Sequence, residues 1–427
     1  MSVDLGRDLT PTDASRPALD PVSIRADFPL LSPDRSGGRI VYLDSAASSQ
    51  RPTAVLQAMD DYYNTTHANV HRGVYAIAEE ATRRYEHARM TAGRFIGAPD
   101  PAREIVFAKN VTEAINLVAY TWARRELRRG DAIVLSEIEH HANLVPWLML
   151  AEERGVELRY LRLGEDFHLD LSNLAELCNG AKLVTVTAVS NVLGSVTDLD
   201  TIIAVAHAAG ALVLADGAQL VPHRRVDVAS LGVDFFGYTG HKLLGPTGIG
   251  VLWARAELLE AMPPFLGGGE MIRDVRLDGF STNEIPWKFE AGTPPIAEAI
   301  GLEAAMEYLE DIGLDRIAQH ESDLTAYALA ALDDAYGDTI TVFGPAADPE
   351  RRAGLISFAF GDLHPHDVAQ VLDTRNICVR AGHHCAKPLM RRLCVGATTR
   401  ASFYLYNDEA DVDELVVGLG EVAKLFA

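Results

Sequence analysis

ALVLADGAQLVPHRRVDVASLGVDFFGYTGHKLLGPTGIGVLWA, residues 211–254, holds three short apolar runs separated by turn residues. ALVLADG (211–217), FFGYTG (235–240) and GIGVLWA (248–254) read as strands, because each is four to eight residues long and rich in branched or aromatic side chains. Working outward, the same kind of run recurs at RIVYLDS (39–45), EIVFAKN (104–110), DAIVLSE (131–137), VELRYLRL (156–163) and KLVTVTAVS (182–190). Between them TEAINLVAYTWARRELRR (112–129) and DLDTIIAVAHAAG (198–210) carry apolar residues at helical spacing. Continuous apolar strands alternating with helices imply an α/β fold whose largely parallel sheet is covered on both faces.

The pattern changes near residue 295. A long helix, PIAEAIGLEAAMEYLEDIG (295–313), precedes strands TITVFG (339–344), GLISFAF (354–360), ICVRA (377–381) and RASFYLY (400–406), and a helix over 408–426 closes the chain. This predicts a loose polar tail over residues 1–20, a large domain over 21–295 with 21–38 placed against the small one, and a smaller α+β domain over 296–427. Of the 427 residues 48% are hydrophobic and 23% charged, enough apolar material for a sizeable core. The 38 Lys and Arg against 60 Asp and Glu leave a net charge of −22, which argues against nucleic-acid binding. No stretch has the apolar length of a membrane helix, the first twenty residues lack a secretory apolar core, and the four cysteines form no disulfide scaffold, which together predict a cytoplasmic protein.

Ligands of open α/β sheets sit beyond the carboxyl ends of the strands. The polar residues there are Thr112, His140, Asn191, Asp216 and Lys242. Asp216 and Lys242 follow consecutive strands and are able to face one crevice. Pyridoxal phosphate chemistry needs this pair: a lysine for the Schiff base and a carboxylate that keeps the ring nitrogen protonated. A capping Asp and a surface Lys are the plain alternative. Thr112 opens a helix, where free amides favour an anion or simply a cap, and Thr239 and His241 flank Lys242. His140, in EHHANLVPW (139–147), reads as a ring stacked on the cofactor, a packed histidine, or a metal ligand with Glu139 and His141. In RAGHHCAKP (380–388) two histidines and Arg380 precede Cys385, and nearby cations favour a reactive thiolate. An inert Cys385, or zinc held among Cys378, His383, His384, Cys385 and Cys394, are the other readings; that ligand order matches no regular knuckle.

LDSAAS, NVHRGVY, EHHANLVPW, VSNVLGS, DGAQ, GHKLLGPTGIG, FEAGTP, RAGHHCA and RASFYLYN occur in that order. Together they resemble the Suf-type (second-group, SufS-like) cysteine desulfurases, class V aminotransferases among the fold-type I pyridoxal phosphate enzymes. The resemblance runs from RADFPLL (25–31) almost to the C-terminus. It implies a mostly parallel seven-stranded sheet and a homodimer, and it implies roles. Lys242 would be the Schiff-base lysine and Cα proton shuttle, Asp216 the partner of the pyridine nitrogen, and His140 the stacking ring. Gln219 and Asn191 would lie on the ring-hydroxyl side. Thr112, Thr239 and His241 would hold the phosphate, with Thr293 reaching in from a second subunit. Arg400, assisted by Asn191, would grip the substrate carboxylate, and Cys385 would accept sulfur on a loop that also carries Arg380 and His384. No metal is implied. Val111 and Ala381 stand where the family has threonine, and Thr239 where serine is common, so one phosphate-side hydroxyl is lost at 111.

The implied reaction turns L-cysteine into L-alanine and a Cys385 persulfide, which passes to an acceptor protein of the SufE or SufU kind for iron–sulfur cluster assembly. Selenocysteine lyase activity on L-selenocysteine uses the same apparatus. An aminotransferase of this fold would leave Cys385 without a task, and a non-enzymatic sulfur-delivery module would leave Lys242 without one.

Overall fold

The computed structural model describes residues 18–32 and 38–426. The tail expected over residues 1–20 lies outside these, apart from its last three positions. Seven strands form the main sheet: β1 (Ile105–Ala108), β2 (Ala132–Ser136), β3 (Glu157–Leu161), β4 (Ala181–Thr187), β5 (Leu212–Asp216), β6 (Phe235–Thr239) and β7 (Gly250–Ala254). Their spatial order is β1-β7-β6-β5-β4-β2-β3. Only β7 runs antiparallel to its neighbours, so the mostly parallel seven-stranded sheet is present. β1, β2, β6 and β7 are buried at every position, which is why their sequences are continuous apolar runs rather than alternating ones.

Helices cover both faces. Ile296–Ile312 lies against Thr53–Thr65 and Ala76–Phe95, and its Ile296, Ile300, Leu302 and Met306 belong to the core under the main sheet. The helix that opens the second part of the sequence therefore packs with the first part. The expected helix over 112–129 is Val111–Val118, continued by one π-helical turn, Ala119–Ala123, and a short stretch to Glu126. Among the described residues no helix is long and apolar enough to cross a membrane.

A second, antiparallel sheet has the order β8-β9-β11-β10, with β8 Ile340–Phe343, β9 Leu355–Phe360, β10 Arg380–Gly382 and β11 Thr398–Ser402. The run ICVRA is not one strand. Ile377–Cys378 pairs in parallel with Val41–Tyr42, while Arg380–Gly382 turns to join β11. RIVYLDS thus serves the second sheet, and Val41 and Leu43 sit in its core beside Ile356, Phe358 and Leu415. Arg25 likewise reaches the carbonyl of Tyr406 and the carboxylate of Asp411, and the Phe28 ring lies edge-on to Tyr406 at 4.9 Å.

Two local features place the site. β4 and β5 are in register at Thr187 and Asp216, so Asp216 emerges at the carboxyl end of the parallel strands. Gly250 lets the start of helix Val111–Val118 lie against β7: a Cβ there would come within 2.6 Å of the Asn110 Cα. No side chain fits that contact, and the helix N-terminus is held over the strand ends.

Candidate active site

A cavity of about 300 Å³ opens where the two sheets meet. Every site residue expected from the sequence lines it except Thr293. Thr293 lines a separate depression with Tyr85, Phe107 and Glu290. Glu290 anchors that segment, because its carboxylate pairs with buried Arg89 at 2.7 and 2.9 Å and accepts from Tyr85 and from the Phe107 amide.

The floor comes from strand ends. Asp216, 3% exposed, accepts the Ala218 amide at 3.0 Å, and burial raises its carboxyl above the usual range against the opposing effects of that amide and of Lys242. Lys242, in the 3₁₀ turn after β6, is lowered to about 8 by burial, with Asp216 pulling the other way. Gln219 donates to the Ala46 carbonyl at 2.8 Å.

One end of the cavity suits an anion. Asn110 caps its helix by accepting from the Glu113 amide, which leaves the first amides of the helix, on Val111 and Thr112, for a ligand. Among the described residues the buried Thr239 hydroxyl has no partner. A buried hydroxyl without a hydrogen bond costs about 1–3 kcal/mol, so an oxygen-rich group is the natural occupant. The residues present therefore fit pyridoxal phosphate: an amine, a buried carboxylate, a neutral ring at His140 and unsatisfied donors at the anion end.

Three cavity histidines are held neutral. Burial, with Lys242 and other cations adding, lowers His140 to about 3; His384 falls to about 3 and His241 to about 4 for the same first cause. The Ala142 amide donates to His140 Nδ1 at 3.0 Å, which assigns the proton of the neutral ring to Nε2. Because the unfolded chain takes up these protons near pH 6.5, the contribution of the three histidines is complete above that value and is lost as pH falls toward 4. The urea midpoint of the apoprotein is expected to drop between pH 7 and pH 5, and less steeply in His384→Asn; equal slopes would remove His384 from this account.

The opposite wall carries two arginines, Arg380 and Arg400. Arg400, 2% exposed on β11, donates to the Asn191 carbonyl at 2.7 Å and faces Asp44 at 3.5 Å. Burial lowers it to about 10, still protonated at neutral pH, and its Nε has no partner among the described residues. Arg380 binds the same Asp44 carboxylate at 3.0 and 2.6 Å. Asp44 was not singled out from the sequence. Its signal was a carboxylate ending the RIVYLDS run, in a chain with two arginines destined for the cavity.

Cys385 stands exposed at the mouth. His384 and Cys385 both adopt left-handed backbone angles, φ 49° and 55°, which cost roughly 1–3 kcal/mol each. Named contacts hold them there. Asn191 Nδ2 donates to the His384 carbonyl at 2.7 Å, the His141 amide donates to the Cys385 carbonyl at 2.7 Å, and His384 Nε2 meets Thr398 Oγ1 at 2.8 Å. The Cys385 segment is thus fastened to loops of the main sheet on one side and to β11 on the other. Among the described residues no group of three or more His, Cys, Asp or Glu side chains is arranged to hold a metal ion.

Residues 41–415 match the model of a family described as aminotransferase class-V. The chain is 49% identical over 414 residues, 96% of its length and 98% of the relative's, to a probable cysteine desulfurase of Streptomyces coelicolor. It is 48% identical over 404 residues, 94% and 96% of the two chains, to a cysteine desulfurase of Dickeya dadantii. Among solved structures, an apo cysteine desulfurase from Thermococcus onnurineus matches with a TM-score of 0.89 at 41% identity, covering 94% of this chain and 98% of that one. The Escherichia coli cysteine desulfurase CsdA (S-sulfonic acid) matches at 0.87 and 41%, covering 96% and 100%. Matches of this extent span both the sheet that carries Lys242 and the segment that carries Cys385, and the chain therefore belongs to the class-V aminotransferase family, beside proteins named cysteine desulfurases.

Proposed function

We propose that this protein is a cytoplasmic, pyridoxal phosphate-dependent cysteine desulfurase of the Suf type. The observation that carries the reading is one cavity with Lys242 and Asp216 at its floor, Arg400 on its wall and an exposed Cys385 at its mouth. Lys242 would anchor the cofactor, Asp216 would face the ring nitrogen and His140 the ring face. Thr112, Thr239 and His241 would hold the phosphate. When bound, the cofactor supplies the electron sink that makes a substrate Cα proton removable.

The rest falls to the chain. Arg400 and Asn191 fix the carboxylate of L-cysteine, which sets the direction of the side chain toward the mouth. Lys242, lowered by burial, is a base suited to receive the Cα proton near neutral pH. The Cys385 Sγ then bonds to the substrate sulfur as the substrate Cβ–S bond breaks. The electron pair stays with the three-carbon fragment, which takes a proton at Cβ, regains one at Cα from Lys242 and leaves as L-alanine, and Cys385 retains the sulfur as a persulfide. An acceptor protein removes it for iron–sulfur cluster assembly. In a homodimer, Thr293 of each chain would complete the other's anion end.

The test is an absorbance spectrum of the purified protein before and after L-cysteine, with alanine and sulfur assayed together. A visible cofactor band that shifts with cysteine, and equal amounts of alanine and sulfur, are expected. A colourless protein that stays inert after added pyridoxal phosphate would overturn the reading.

A further inference from the structure

About one residue in seven of this chain is acidic, yet residues 374–407 contain none. The same stretch carries Arg375, Arg380, Lys387, Arg391, Arg392 and Arg400 and surrounds Cys385. Most of these cations are engaged. Asp44 holds Arg380 and Arg400, Glu414 and Glu421 hold Arg375, and Arg392 donates to the Leu163 carbonyl. Lys387 and Arg391 differ: among the described residues neither side chain has an ion pair or a hydrogen bond. Both are exposed and one helical turn apart on helix Lys387–Arg392, which begins two residues after the thiol. That helix is not loose. Leu389 and Met390 are buried with Leu163, Val192 and Leu193, and the Lys387 amide donates to His141 Nε2 at 3.1 Å.

Two unpaired cations thus stand on a fixed ledge beside the nucleophile, in a chain of net charge −22. Their reach is local. At physiological salt the screening length is about 8 Å, so a body docking at Cys385 senses this ledge rather than the distant carboxylates. We infer that the exposed face of helix Lys387–Arg392 is the docking surface for an acidic protein that takes sulfur from Cys385, with Lys387 and Arg391 as its cationic contacts. This rests on the persulfide reading above. Exposed charge pairs add little to stability but steer encounter and fix register, so the effect belongs in the transfer step and not in the chemistry of cysteine.

The test uses the holoenzyme with both residues reversed, Lys387→Glu with Arg391→Glu, and a charge-neutral form, Lys387→Gln with Arg391→Gln. Alanine formation is measured with dithiothreitol as the only sulfur acceptor, and sulfur transfer with a purified acceptor of the SufE or SufU kind. Dithiothreitol-supported turnover is expected to stay within about twofold, since no docking is needed. The acceptor KM is expected to rise at least about tenfold in the reversed form and less in the neutral one. Raising salt from about 0.05 M to about 0.5 M should slow transfer from the wild type, leave the neutral form nearly unchanged and speed transfer from the reversed form. An acceptor KM equal in all three forms, or transfer indifferent to salt, overturns the docking surface. Loss of acceptor binding to RNA instead would assign the ledge to a polyanion and overturn it too. A wild type that makes no alanine even with dithiothreitol would fail the proposed function instead, so the two failures are separable.

Discussion

Cys385→Ser is expected to leave the cofactor spectrum intact and to lower alanine and sulfide formation on the order of 10³-fold or more, as removal of an activated nucleophile does elsewhere. The substitution is conservative in space. Cys385 is exposed, its backbone amide and carbonyl make the contacts that hold the loop, and its side chain supports no packing. A serine therefore sits in the same left-handed position without disturbing Asn191, His141 or Arg400. What disappears is the soft sulfur able to bond to sulfur, since the hydroxyl has no comparable reaction with a thiol. Retained cofactor colour with lost turnover separates this role from a structural one. Full activity with L-cysteine would end the assignment of Cys385 as nucleophile.

Asp44→Asn should have the next largest effect. Asp44 lies between Arg380 and buried Arg400, and these two guanidiniums repel one another. Breaking a buried ion pair costs about 3–5 kcal/mol; the lower end is expected because Arg380 is half exposed to water. Asparagine keeps an acceptor oxygen but not the charge, so Arg400 is left with the Asn191 carbonyl as its neutral partner. The KM for L-cysteine should rise more than kcat falls, because Arg400 is proposed to place the substrate carboxylate. Unchanged KM together with an unchanged urea midpoint would show that Asp44 neither holds Arg400 nor supports the fold.

Most of the main sheet was legible because β1, β2, β6 and β7 are covered on both faces and therefore read as uninterrupted apolar runs. Long helices with charged faces were not. Ala76–Phe95, with the string EEATRRYEH, and Leu314–Tyr336 hide their buried stripes among acids and arginines, and tertiary packing rather than local pattern defines them. The aromatic run of RASFYLY reads as strand but leaves it at Ser402, because Tyr404 and Tyr406 turn into the core, Tyr406 against Phe28. Cavity residues beyond strand ends were found by that rule, whereas Asp44 was not, since its importance lies in arginines far along the chain. Thr293 does not share the cavity within one chain and lines a separate depression.

Arg380 and Asp44 are 336 residues apart in sequence, and Val41–Tyr42 pairs with Ile377–Cys378 at a similar distance. A ribosome adding about 5–20 residues per second needs roughly 20–70 s to make the second half of that contact after the first. Throughout that interval the early segment has neither its strand partner nor its arginine. The wall of the cavity thus closes late, and a chain that stops short of Arg400 cannot build it. The chemistry proposed for Cys385 is in this way withheld from unfinished protein, by topology alone.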